Sequence, residues 1–143
     1  MTQQTDNEKK LSCIISTLQY FDKDCWYKIS RQENLPEDFI REFENKVDWK
    51  EISYHQTLSE DFTREFQDKV SWYGISLEQV LSEDFIREFQ GKVKWFGISC
   101  GQELSEDFIK EFQDKVDWVT IGRHQNLSGE FIKEFADRLA TND

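Results

Sequence analysis

Residues 72–94 read WYGISLEQVLSEDFIREFQGKVK, and the next stretch, residues 95–117, reads WFGISCGQELSEDFIKEFQDKVD. Laid outward from this pair, a 23-residue ruler divides the chain into five units, 26–48, 49–71, 72–94, 95–117 and 118–140, with no insertion or deletion. Every unit opens on tryptophan (Trp26, Trp49, Trp72, Trp95, Trp118), and isoleucine follows three residues later (Ile29, Ile52, Ile75, Ile98, Ile121). Leucine holds the tenth position (Leu35, Leu58, Leu81, Leu104, Leu127), and two phenylalanines four apart follow it, as in Phe85 and Phe89. One unit has too few large apolar side chains to bury a core by itself. So strict a period predicts an array in which each unit covers its neighbour.

The second half of a unit carries helix signals from end to end. Ser82 is suited to accept an orphan backbone N–H as an N-cap, and Glu83 and Asp84 put negative charge where the helix dipole favours it. Phe85, Phe89 and Val93 fall at i, i+4 and i+8, one apolar stripe on a helix of about 11 residues. Glu88 and Lys92 would then be an intrahelical i,i+4 pair, a spacing that every unit repeats. The first half is shorter. Trp72, Ile75 and Gln79 share one face of a two-turn helix, with Asp48, Ser71 and Asp117 as caps and Lys94 breaking the pattern. Gly74 and Gly97 oppose a helix there, and a leucine-rich-repeat strand is the rival at this period. The rival needs an L-x-x-L-x-L motif and an Asn ladder, and the chain has neither.

The fold read from these signals is all-α: a short α-solenoid of five 23-residue helix-turn-helix repeats over residues 26–140. A tail and capping helix occupy residues 1–25, and a short tail follows at 141–143. The glutamine at position eight (Gln56, Gln79, Gln102, Gln125; Glu33 in unit one) lies on the Trp/Ile face. A buried amide must be satisfied, so it is predicted to bond backbone groups between units. End units should differ because one face of each lacks a neighbour. They do: Pro36 stands at the cap of unit one, and Gly129, Ala136 and Leu139 depart from the pattern in unit five.

The 143 residues carry 18 Lys+Arg against 29 Asp+Glu, a formal charge of −11, with 15% aromatic side chains. Acidity of this size argues against a protein that holds nucleic acid by its phosphates, and the aromatic load argues for a folded chain. No apolar run approaches the roughly 18–20 residues of a membrane span, and the polar start lacks the apolar core of a secretory signal. Cys13, Cys25 and Cys100 show no close pairing, which fits reduced, buried thiols in a cytoplasmic setting. His55 and His124 lie far apart without metal-ligand spacing, and no phosphate-loop motif is present. The expectation is a protein with no catalytic residues, no metal and no cofactor.

The string W-x-x-I-S-x-x-Q-x-L-S-E-D-F-I-R-E-F-Q-x-K-V, seen from Trp72 to Val93, resembles tandem short-helical repeats in uncharacterised proteins of giant DNA viruses and bacteriophages. The resemblance spans residues 26–140 and implies a viral or phage-associated α-solenoid that engages host proteins, in the host cytosol. It brings no catalytic positions with it.

Within a unit the fixed positions read as scaffold and the changing ones as candidate contacts. Position two runs Tyr27, Lys50, Tyr73, Phe96, Val119; position six runs Arg31, Tyr54, Leu77, Cys100, Arg123; position nine runs Asn34, Thr57, Val80, Glu103, Asn126. Stacked, they predict one lateral surface on which Tyr27, Tyr54, Tyr73, Leu77, Val80 and Phe96 would meet a protein partner, unless these side chains pack on neighbouring units instead. A second reading aligns the acidic helix starts, Glu37/Asp38, Glu60/Asp61, Glu83/Asp84 and Glu106/Asp107, as a ridge that mimics nucleic acid toward a host enzyme. Helix-dipole stabilisation and solubility account for the same residues, and a purely architectural module is the third reading. The altered end units favour a monomer or weak self-association over open polymerisation.

Overall fold

The computed structural model of the chain describes residue 9 and residues 16–140. The expected capping helix over residues 11–25 therefore lies partly, and the tail 141–143 wholly, outside the described residues. Among the described residues every regular element is helical; each of the first four units contributes two helices and unit five three. The first helices are Lys23–Ser30, Trp49–His55, Trp72–Glu78, Trp95–Gly101 and Trp118–His124. The second are Glu37–Glu42, Glu60–Glu65, Glu83–Glu88, Glu106–Glu111 and Gly129–Glu134, with a last short helix at Ala136–Leu139. In unit one the first helix starts three residues before its tryptophan, because Asp22 supplies the cap by accepting the Cys25 N–H.

The caps expected from the sequence are formed. Asp48 accepts the N–H groups of Lys50 and Glu51, Ser71 that of Gly74 and Asp117 that of Thr120, while Lys94 leaves its helix uncapped by a side chain. The bonds from Thr120 also hold the Asp117 carboxyl below its ordinary pKa. Ser82 accepts the Phe85 N–H at 3.1 Å, and Ser59, Ser105 and Ser128 repeat the bond.

The second helices are six residues long rather than eleven. Each leaves α geometry at the second phenylalanine; Phe89 has φ −105° and ψ 26°. The N–H groups of Lys92 and Val93 then both point at the Phe89 carbonyl, at 2.8 and 3.0 Å, so the chain tightens into a turn. Val93 is buried all the same, because helix plus turn places it beside the two phenylalanines as well as a longer helix would. The expected Glu88–Lys92 pair is lost for this reason. Once Lys92 sits in the turn, Glu88 meets Arg64 of the preceding unit at 2.9 Å and Lys92 meets Asp68 at 3.2 Å.

Each unit is organised around three rings. Trp72 lies 6.3 Å from Phe85 and 5.1 Å from Phe89 between centroids, and the two phenylalanines are 4.7 Å apart. The Trp72 indole N–H donates to the Gln67 carbonyl at 2.9 Å, so the polar edge of a half-buried ring is satisfied. Ile75 and Ile86 complete the layer and are wholly buried, and Arg64 of the preceding unit lies over the Phe85 ring at 5.2 Å. Ser76 closes the unit: its hydroxyl donates to the Trp72 carbonyl at 2.6 Å and accepts the Lys94 N–H at 2.9 Å, one residue before the next tryptophan.

Successive first helices pack directly on one another and form one layer. Their approach is close enough to explain the glycines in units three and four. A Cβ on Gly74 would stand 3.0 Å from the Tyr54 ring, and one on Gly101 only 2.4 Å from the Leu77 carbonyl oxygen. Gly101→Ala is expected to cost about 1–3 kcal/mol in urea unfolding, because it pushes on backbone rather than on a movable side chain. Gly91→Ala, where nothing lies within 4 Å, should leave the midpoint unchanged or raised. Equal effects at both glycines would show that the packing between units three and four does not require the missing Cβ.

Candidate functional site

Three kinds of surface position follow from this stacking. At position two, on the outer side of the first helices, Tyr73 is 44% exposed and Phe96 53%, and they come from adjacent helices. Tyr27 is exposed too, but Lys50 of unit two stands between it and Tyr73 in the column. Its hydroxyl accepts a hydrogen bond from Arg31, whose guanidinium lies 5.3 Å from the ring centroid.

At position six the residues differ in role. The Tyr54 ring is half-buried against Gly74 of the next unit, and desolvation raises its hydroxyl pKa above the ordinary value. Leu77 is half-buried, with its backbone against Gly101. Position nine lies past the end of the helix. Val80, 94% exposed, stands in the loop beside Gly101, Gln102 and Glu103, a helix length away from Tyr73. The structure thus leaves Tyr73 and Phe96 exposed on adjacent first helices, sets Tyr27 and Val80 elsewhere on the array, and lays the Tyr54 ring and the Leu77 backbone against glycines of the following unit.

The acidic helix starts divide into two roles. Glu37, Glu60, Glu83 and Glu106 each accept the N–H of the cap residue in the following unit (Ser59, Ser82, Ser105, Ser128) at 2.6–2.7 Å. The Ser128 bonds hold the Glu106 carboxyl below its ordinary pKa. Asp38, Asp61 and Asp84 are almost fully exposed, yet each is 2.8 Å from an arginine of its own helix, Arg41, Arg64 or Arg87. Those arginines also reach Glu65, Glu88 and Glu111 of the next unit at 2.9 Å, and Lys110 reaches Glu134 at 3.0 Å. Asp107 stands on the same helix as Lys110, three residues before it. The acidic ridge is therefore interleaved with a column of cations. The sequence shows two to four basic residues in every unit, enough to dilute the field of the ridge, but their alignment at position sixteen, which is Arg or Lys in all five units, emerges only from the stacking.

Cys25 and Cys100 are half-buried free thiols rather than fully buried ones, and Cys13 lies outside the described residues. The His55 Nε2 stands 3.2 Å from a Glu51 carboxylate oxygen, and His124 is exposed. Among the described residues, no group of three or more His, Cys, Asp and Glu side chains is placed to hold a metal ion, and no helix is long and apolar enough to cross a membrane.

No protein-family model matches this chain, and neither a curated protein nor a solved structure matches it.

Proposed function

We propose that this chain is a non-catalytic repeat scaffold that binds a protein partner through the outer side of its first helices. The carrying observation is the division of labour within each unit. Positions four, eight and fourteen hold buried side chains in the inner units, while position two offers Tyr73 and Phe96 to solvent as a pair on neighbouring helices. Exposed aromatics give large contact area for little lost conformational freedom, so a pair of them on a rigid layer is suited to anchor an interface. A host protein as partner rests on the resemblance to viral and phage repeats alone. Nucleic-acid mimicry is the weaker reading, because the arginine column dilutes the field of the acidic ridge.

The test compares the wild-type chain with a Tyr73→Ser/Phe96→Ser variant as bait in lysate, quantified by mass spectrometry at low and at moderate salt. The interface reading expects proteins that are retained in moderate salt by wild type and lost by the variant, with the thermal melt of the array unchanged. Capture that ignores the aromatic pair but collapses with salt and is competed by DNA would transfer the function to the acidic ridge.

A further inference from the structure

Each inner unit reads the one before it with a single carboxamide. Gln102 accepts the Leu81 N–H at 3.0 Å through Oε1, and through Nε2 it donates to the carbonyls of Ser76 at 2.9 Å and Gln79 at 2.6 Å. Gln79 and Gln125 make the same three bonds one unit earlier and one later. In unit five the equivalent groups are the Gly122 carbonyl, the Gln125 carbonyl and the Leu127 N–H. Among the described residues none of the three has a hydrogen-bond partner.

The apolar surroundings of this triad are open as well. Ile132 is 47% exposed, whereas Ile40, Ile86 and Ile109 at the same position are covered completely by the following unit. Ile132 shares a shallow groove with Val119, Gly122, Leu127 and Leu139. Beside it stands exposed Lys133, the counterpart of the Lys110 that pairs with Glu134 across a unit boundary. The end of the array thus repeats three parts of the established interface between units: the carboxamide triad, an isoleucine shelf and a cation.

We propose that this end face docks one further helix-turn-helix unit of the same pattern, supplied by another chain, with its position-eight glutamine in the vacant triad. A second copy of this chain fits poorly. Its unit one offers Glu33, which has no amide hydrogens for two carbonyls, and its Leu18 already packs against the core next to that unit. Gly129 stands where the inner units have the glutamate that bonds the next cap, so the docked unit is held by fewer ties than an internal one and can leave again. The site is distinct from the Tyr73–Phe96 pair, and each is tested without the other.

The probe is a fluorescein-labelled synthetic peptide with the sequence of residues 94–117, titrated against the full chain by anisotropy. Docking expects saturable binding that weakens about tenfold or more when the peptide carries Gln102→Glu and when the protein carries Ile132→Asp. A free peptide must order itself on binding, so residues 95–117 of the same sequence are also appended in register after Ala140, with the tryptophan as the first appended residue. The appended unit should raise the urea midpoint, and its Gln→Glu version should not. Equal behaviour of the Gln and Glu versions, or no gain from the appended unit, overturns the proposal. A gain in the appended form with no binding of the free peptide up to ~1 mM also overturns it, since the triad then serves only a covalently attached unit.

Discussion

Gln79→Leu should cost about 3–6 kcal/mol, although it preserves side-chain volume and adds apolar surface. Three buried groups lose their partner at once: the Leu58 N–H at 2.9 Å, the Ser53 carbonyl at 3.0 Å and the Gln56 carbonyl at 2.6 Å. An unsatisfied buried polar group costs about 1–3 kcal/mol, and the packing between units leaves little room for water to substitute. The same substitution at Gln125, which is half-buried at the last unit boundary, exposes its three groups to solvent and should cost about 1–2 kcal/mol. Urea unfolding followed by far-UV circular dichroism measures both. Gln79→Leu sits at the boundary between units two and three, so it should also broaden the transition as the two sides lose coupling. A loss below ~1 kcal/mol, or equal losses at the two glutamines, would mean that the ladder is decoration on an interface held by its apolar side chains.

The glutamine ladder was legible from the sequence because a carboxamide on a tryptophan and isoleucine face has one way to be stable, which is to bond backbone across the boundary. The helix pairs were legible for a similar reason: the caps Ser71, Ser82 and Asp117 act within three residues of themselves. What escaped were features that depend on the neighbouring unit. An apolar stripe at i, i+4 and i+8 is satisfied equally by a long helix and by a short helix with a turn, so Phe85, Phe89 and Val93 could not fix where the helix stops. Glu88 and Lys92 have the spacing of an intrahelical pair, yet each finds its partner in the unit before.

Glu60 satisfies the helix dipole in sequence, and only the stacking shows that its carboxylate also takes the Ser82 N–H. Tyr54 and Tyr73 look alike as variable aromatics. The pitch of the first helices decides between them, since it lays the Tyr54 ring on Gly74 and leaves Tyr73 in solvent. The end units could be recognised as different, but what their differences do depends on geometry. Gly122 replaces the serine whose hydroxyl ties an inner unit to its successor, and Gly129 replaces the glutamate that bonds the successor's cap, so both forward ties are absent where the array stops.

Position in the array, rather than burial, should decide what a core deletion does. Phe85 and Phe131 occupy the same place in units three and five and are equally hidden from solvent, at 0% and 1% exposure. Phe85→Ala removes the ring that packs on Trp72 and Phe89 within the unit and carries Arg64 on its outer side, and should cost about 3–5 kcal/mol of global stability. Units on both sides of it lean on that layer, so the loss cannot be confined. Phe131→Ala removes the same atoms from a unit that has a neighbour on one side only. The last unit can then open without disturbing the rest, and hydrogen exchange should show residues 118–140 losing protection while units one to four keep theirs. The urea midpoint of the remaining array should move much less than it does for Phe85→Ala. If instead both variants unfold in one transition with equal midpoints, the chain behaves as a single cooperative core, and the nearest-neighbour account of its stability fails.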